Sequence, residues 1–177
     1  MTANHPQPRD TSSDPFTQKV EPDKNAPTLD REVLRLSQIV QYKGVRFIEY
    51  DKDGATQKTR KHIFASQGGA GPWFSLWGSM NLDSQLRQLR PAAVFKLTYL
   101  GQEDLGENNK PFTWEVLTTS ATPAQVDQIR QREPWPDHER QLLEAIARQA
   151  AEEHARRDAR RAAGDPAADA GDDDLPF

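Results

Sequence analysis

Tyr42-Lys43-Gly44-Val45-Arg46-Phe47-Ile48-Glu49-Tyr50-Asp51-Lys52-Asp53-Gly54-Ala55-Thr56-Gln57-Lys58-Thr59-Arg60-Lys61-His62-Ile63-Phe64-Ala65 reads as two strands joined by a turn. Val45 to Tyr50 is rich in β-formers. Asp51 to Gly54 is a hairpin signal, because Asp-Gly tolerates the positive φ of a tight turn. Thr56 to Ala65 is the return strand. Before it, Val33 to Tyr42 mixes Val, Leu and Ile with polar residues and extends the first strand backwards. Gly44 interrupts that strand, which predicts a bulge or sharp bend.

Downstream, Gln67 to Pro72 is a Gly-rich loop, and Trp73 to Gly78 is a short aromatic strand. Leu82, Leu86 and Leu89 fall on one helical face. Ser79 or Asn81 caps that helix and Pro91 ends it. Val94 to Leu100 alternates Phe95, Leu97 and Tyr99 with Lys96 and Thr98, as a half-buried strand does. A polar loop, Gly101 to Pro111, leads to a last strand, Phe112 to Thr118.

The order predicts a mainly β domain: a five-stranded OB-fold Greek-key barrel with a helix between strands three and four. A generic five-stranded α+β domain is the alternative. A bent first strand suits a small closed sheet, because it serves both halves.

The flanks differ in composition. Residues 1–28 are rich in Pro, Asp, Ser and Thr without apolar periodicity, and read as a disordered arm with Phe16 as its one aromatic. Residues 29–120 form the folded domain. Residues 121–163 read as a helical connector. Thr122-Pro123 opens a short helix, Pro134-Trp135-Pro136 breaks it, and Asp137 caps a longer one running to about Ala163. Leu143, Ile146, Ala147 and Ala150 form its apolar stripe. Glu152 with Arg156 and Glu153 with Arg157 support the rest. Residues 164–177 read as an acidic disordered tail.

The chain is only 35% hydrophobic, with a mean hydropathy of −0.87, which fits one compact domain beside disordered flanks. The net charge of −4 hides a division. Residues 29–120 carry 12 Lys/Arg against 10 Asp/Glu, whereas residues 164–177 carry five Asp and no cation. The middle is thus mildly basic and the tail acidic. With no cysteine, disulfides and thiolate zinc sites are excluded, and the four histidines lack metal-ligand spacing. No apolar run of membrane-spanning length and no secretory leader is visible, so a cytoplasmic protein is expected. Gly68-Gly69-Ala70-Gly71 lacks the Lys-Ser/Thr of a phosphate loop. No Ser/His/Asp signature stands out. The expectation is a non-enzyme without cofactors or metals.

Sequence-tolerant binding of single strands needs aromatic faces for stacking and cations for the backbone. Lys58, Arg60, His62 and Phe64 alternate and share one strand face. Trp73 and Trp77 share a face of the third strand, and Lys43, Arg46 and Tyr50 of the bent strand flank them. These nine residues are the candidate DNA-binding set, with Tyr42 a further flanking residue of the bent strand and Lys110 a weaker addition. Trp73, Trp77 and Phe64 could equally serve the core or an oligomer interface. Phe47, Phe74, Phe95, Phe112 and Trp114 are assigned to the core, and Lys61 to the opposite face.

The last six residues, Asp172-Asp173-Asp174-Leu175-Pro176-Phe177, make a short peptide ligand. Leu and Phe can fill an apolar pocket. The terminal carboxylate can meet a cation, and the aspartates speed encounter with a basic surface. This ending resembles the C-terminal tip of bacterial single-stranded DNA-binding proteins, an acidic run followed by Ile/Leu-Pro-Phe. The resemblance covers only these residues. It implies an OB-fold that coats single-stranded DNA, and a tip that recruits helicases, nucleases, polymerase subunits or primase-associated proteins. Replication, recombination and repair are the implied settings, with nucleoid association and a possible homo-oligomer. The N-terminal arm and helical connector depart from the family and suggest a divergent phage, plasmid or mobile-element version. A module that mimics the tip without binding DNA is the alternative, and an RNA-binding OB protein a weaker one.

Overall fold

The computed structural model describes residues 26–90, 92–104, 106 and 110–164. The N-terminal arm before residue 26, the tail from residue 165 and the tip Asp172 to Phe177 lie outside the described residues.

Five strands follow in order: β1 (Gln38–Lys52), β2 (Ala55–Ala65), β3 (Trp73–Trp77), β4 (Val94–Gln102) and β5 (Phe112–Thr118). Helix α1 (Met80–Leu86) lies between β3 and β4, while α2 (Pro123–Arg130) and α3 (Trp135–Ala162) follow β5. The strands make one open antiparallel sheet in the order β3-β2-β1-β4-β5.

The turn and the bend follow from local chemistry. Asp53 and Gly54 both take positive φ, 54° and 77°, which suits the twist of a two-residue hairpin. At Gly44, φ is +133° and the β1–β2 register slips between Tyr42 and Gly44. That bulge lets the first half of β1 pair with β4 and the whole of its second half with β2.

The first strand starts later than its sequence suggests. Arg31–Arg35 forms a 3-10 turn, because the Asp30 side chain accepts the Glu32 N–H and caps it. Leu34 of this turn is fully buried. Ala26, Pro27 and Thr28, expected within the arm, lie along β3. Ser75 N–H donates to the Pro27 carbonyl at 2.9 Å and Leu29 N–H to the Ser75 carbonyl at 2.9 Å. A parallel bridge thus satisfies the outer edge of β3.

The β5 edge is satisfied by side chains. Trp114 N–H donates to Asn81 Oδ1 at 2.9 Å, and Val116 N–H to Gln85 Oε1 at 3.1 Å. Gln85 Nε2 donates to the Trp114 carbonyl at 2.7 Å. Asn81 and Gln85 stand one turn apart on α1 and imitate the strand β5 lacks, so Ser75 at one edge of the open sheet and Trp114 and Val116 at the other keep backbone groups paired. The Ser79 side chain caps this helix as expected. The helix stops at Leu86, but Leu89 still packs against the core.

The core lies inside the curl of the sheet. Tyr42, Phe64, Phe74, Leu76, Phe95, Leu97, Tyr99 and Trp114 come from the strands, with Leu82 and Leu86 from α1. Burying each of the larger side chains contributes roughly 1.5–3 kcal/mol. Phe74, Phe95 and Trp114 are core as expected, but Phe47 is 61% exposed. It lies on the part of the β1–β2 ribbon that outruns β3, with the Arg60 guanidinium 5.8 Å from its ring centre.

Helix α2 opens with the expected capping box, Thr122 with Gln125. Helix α3 starts at Trp135, with Pro136 inside its first turn, where a missing N–H costs nothing. Its buried face is Glu139, Leu142, Ala145 and Ile146; of the expected stripe Ile146 is buried, Leu143 is half-buried, and Ala147 and Ala150 are exposed. Glu139 is buried because Arg130 of α2 pairs with it at 2.6 Å. Gln38 Nε2 donates to the His138 carbonyl at 2.8 Å, and Thr28 N–H to Glu153 Oε1 at 3.0 Å, so α3 is fastened to both β1 and the N-terminal segment.

Candidate nucleic-acid interface

Residues paired in register share a sheet face. Phe64 pairs with Tyr42 and Phe74, and His62 with Val45 and Leu76. The face expected to carry Lys58, Arg60, His62 and Phe64 is therefore the inner one. Along it β2 passes from solvent into the core. β3 pairs only with residues 61–65, so beyond Lys61 the ribbon is open and before Ala65 it is closed.

This corrects two of the nine candidates. Phe64 is fully buried, stacked on Phe74 with ring centres 5.4 Å apart. His62 is buried in a chain of hydrogen bonds. Tyr42 Oη lies 3.1 Å from His62 Nδ1, and His62 Nε2 lies 2.6 Å from Asp83 Oδ1 of α1. Burial lowers the His62 pKa against the opposing pull of Asp83. A neutral ring fits both contacts, with Tyr42 donating to Nδ1 and Nε2–H donating to Asp83. Burial, then the Asp83 charge, pushes the Tyr42 hydroxyl up to about 12, so it keeps its proton.

Two more candidates have acidic partners. Arg60 pairs with the other Asp83 oxygen at 2.7 Å and lies over the exposed Phe47 ring, while Lys58 pairs with Glu49. Lys110 pairs with Asp104 at 3.1 Å. The inner face thus holds α1 against β2 and offers little uncompensated charge.

The outer face carries the tryptophans. Trp73 stands in the row Gln41–Ala65–Trp73, and Trp77 in the row Arg46–Lys61–Trp77. Both rings are partly exposed. Lys43, the extra residue of the bulge, places its ammonium 5.1 Å from the Trp73 ring centre. Lys61 does the same for Trp77 at 5.2 Å. Tyr50 lies farther along this face, its hydroxyl donating to Gln57 Oε1 at 2.9 Å. Lys43 is thus brought to Trp73 and Lys61 to Trp77, with Arg46 in the Trp77 row and Tyr50 farther along the same face, while Ile48, Ile63 and Ala65 of that face are buried. The sequence assigns Lys61 correctly to the face opposite Arg60; only the β2–β3 register reveals that this face is also that of the tryptophans.

The two tryptophans are four residues apart on β3, roughly 13 Å at the rise of a strand. Each presents an aromatic surface beside a cation. Chemically this can stack planar rings and attract a polyanion. Among the described residues, no group of three or more His, Asp or Glu side chains could hold a metal ion, and no helix is long and apolar enough to cross a membrane.

The chain matches no family model, no curated protein and no solved structure.

Proposed function

We propose that the protein binds single-stranded DNA without sequence preference on the outer face of β1–β2–β3 and recruits replication, recombination or repair enzymes through Asp172 to Phe177. The observation that carries this reading is the paired arrangement of Lys43 with Trp73 and Lys61 with Trp77 on one face. Stacking on such rings suits any base, and the lysines track the phosphates.

Two further features support it. The strand order β3-β2-β1-β4-β5, with a helix between β3 and β4, is that of an OB-fold opened between β3 and β5. The tip sequence carries the recruiting half of the proposal, with Leu175 and Phe177 as apolar anchors and the aspartates for attraction to a basic receptor.

The test is a titration of tryptophan fluorescence with oligo-dT at several salt concentrations. Quenching that weakens with salt is expected. Absence of binding at low salt would favour a module that engages tip receptors without DNA. Deleting residues 172–177 is expected to leave oligo-dT binding intact or tighter while abolishing capture of partner enzymes.

A further inference from the structure

Lys43 and Trp73 form a corner of the outer face where the cation meets only neutral groups. The Lys43 ammonium donates to Gln41 Oε1 and lies 5.1 Å from the Trp73 ring centre, and among the described residues no carboxylate pairs with it. The Trp73 ring is partly exposed. The N-terminal end of the described chain lies beside this corner. Thr28 forms a parallel bridge with Ser75, and Ser75 Oγ donates to the Ala26 carbonyl at 3.2 Å. In a parallel pair Ala26 stands at the Trp73 end of β3, so residues 1–25 are tethered there.

That arm carries the chemical complement. Asp14-Pro15-Phe16 holds its one aromatic ring, and residues 10–16 carry two aspartates and no cation. Pro15 fixes its own φ and keeps Asp14 extended. Carboxylate and ring thus sit two residues apart on a stiff segment, about 6–7 Å along the chain. Lys43 and Trp73 are spaced to receive them. Phe16 precedes Ala26 by ten residues. Ten residues reach up to roughly 33–36 Å when extended, so the corner is well within range. A short flexible tether supplies a local concentration on the order of millimolar, and a weak contact is then enough to occupy the corner.

We propose that Asp14-Pro15-Phe16 docks on the Lys43–Trp73 corner of its own chain, the Phe16 ring against Trp73 and the Asp14 carboxylate at the Lys43 ammonium. The segment offers a ring and an anion, as a nucleotide does, and covers one of the two stacking positions. That a bound strand displaces it rests on the strand-binding reading above. A strand that engages Trp73 and Trp77 together outcompetes a contact made at Trp73 alone.

The chain has no cysteine, so Ser13→Cys accepts a single nitroxide label in the full-length protein. The Trp73 indole N–H signal of the ¹⁵N-labelled chain, assigned with Trp73→Phe, reports how closely the label approaches. The label is expected to broaden this signal, and Phe16→Ala should largely restore it with the label still in place. Broadening that is the same with and without Phe16 overturns the proposal. A signal restored by Phe177→Ala and not by Phe16→Ala overturns it too, because the C-terminal tip is then the occupant. Saturating oligo-dT should remove the broadening. In the unlabelled chain Phe16→Ala should tighten oligo-dT binding about threefold, the factor for an arm docked roughly two thirds of the time. Broadening that persists with oligo-dT bound overturns the displacement. If oligo-dT does not bind while the Phe16-dependent broadening remains, the arm contact stands and the strand-binding reading fails.

Discussion

Lys61 holds its ammonium 5.2 Å from the centre of the Trp77 ring, on the face of the sheet that turns away from the core. The same geometry joins Lys43 to Trp73 at the bulge. A cation over a ring restricts both groups, so less side-chain freedom is lost when a base and a phosphate arrive together. The proposed strand-binding surface is therefore the outer face around these two pairs, whereas the inner face carries the core.

Cations on the two faces should therefore respond differently. Lys43→Ala and Lys61→Ala are each expected to lower the salt dependence of oligo-dT binding by about one phosphate contact. Lys58→Ala, whose partner is Glu49, should leave the slope nearly unchanged. Titrations at four or more salt concentrations measure this, and equal slopes for all three variants would contradict the assignment.

Phe64 belongs to stability. It is fully buried between Tyr42, Phe74 and Phe95. Phe64→Ala should cost about 3–5 kcal/mol in urea unfolding. Phe64→Leu, a milder change, should keep wild-type oligo-dT affinity.

The Gln85 amide replaces a missing strand at the β5 edge, donating to Trp114 and accepting from Val116. Gln85→Ala should destabilise the fold by about 1–3 kcal/mol, because it leaves two backbone groups of β5 without partners. Amide hydrogen exchange at Val116 is expected to accelerate, and unchanged protection there would sink this account of the open sheet.

The buried His62 makes stability depend on pH in a defined direction. Its folded pKa lies below 6.5, through burial. Between those two values the unfolded chain binds the proton and the folded chain does not. The contribution is therefore complete above about pH 6.5 and is lost as pH falls toward the folded value. Tyr42 acts at the other end: with its pKa raised from 10 to about 12, stability declines as pH rises through that interval. Urea midpoints of wild type and His62→Gln between pH 8 and 5 test the first statement. Their difference should be flat above pH 6.5 and change below it.

Much of the fold was legible in local chemistry. The Asp51–Gly54 turn, the Gly44 bulge, the Ser79 and Thr122 caps and the β5 span all follow from residues within a few positions of one another. What was not legible depends on register and strand length. Alternation places Lys58, Arg60, His62 and Phe64 together correctly. Only the short span of β3, paired with residues 61–65, makes that face interior at one end and open at the other. The same reason hid the exposure of Phe47 and the partnership of Lys61 with Trp77. The turn over Arg31–Arg35, capped by Asp30, displaced the start of β1 to Gln38. The buried face of α3 was misread by one position, since Leu142 and Leu143 offer equivalent periodicities until the helix meets β1.

The most direct test compares oligo-dT affinity of wild type with that of Trp73→Ala, Trp77→Ala and the double variant, after urea unfolding confirms that each is folded. Each single change should weaken binding by about 1–3 kcal/mol, and the double change should remove most of the salt-independent affinity. Wild-type affinity in a folded double variant would contradict the claim that the outer face of β1–β2–β3 binds the strand.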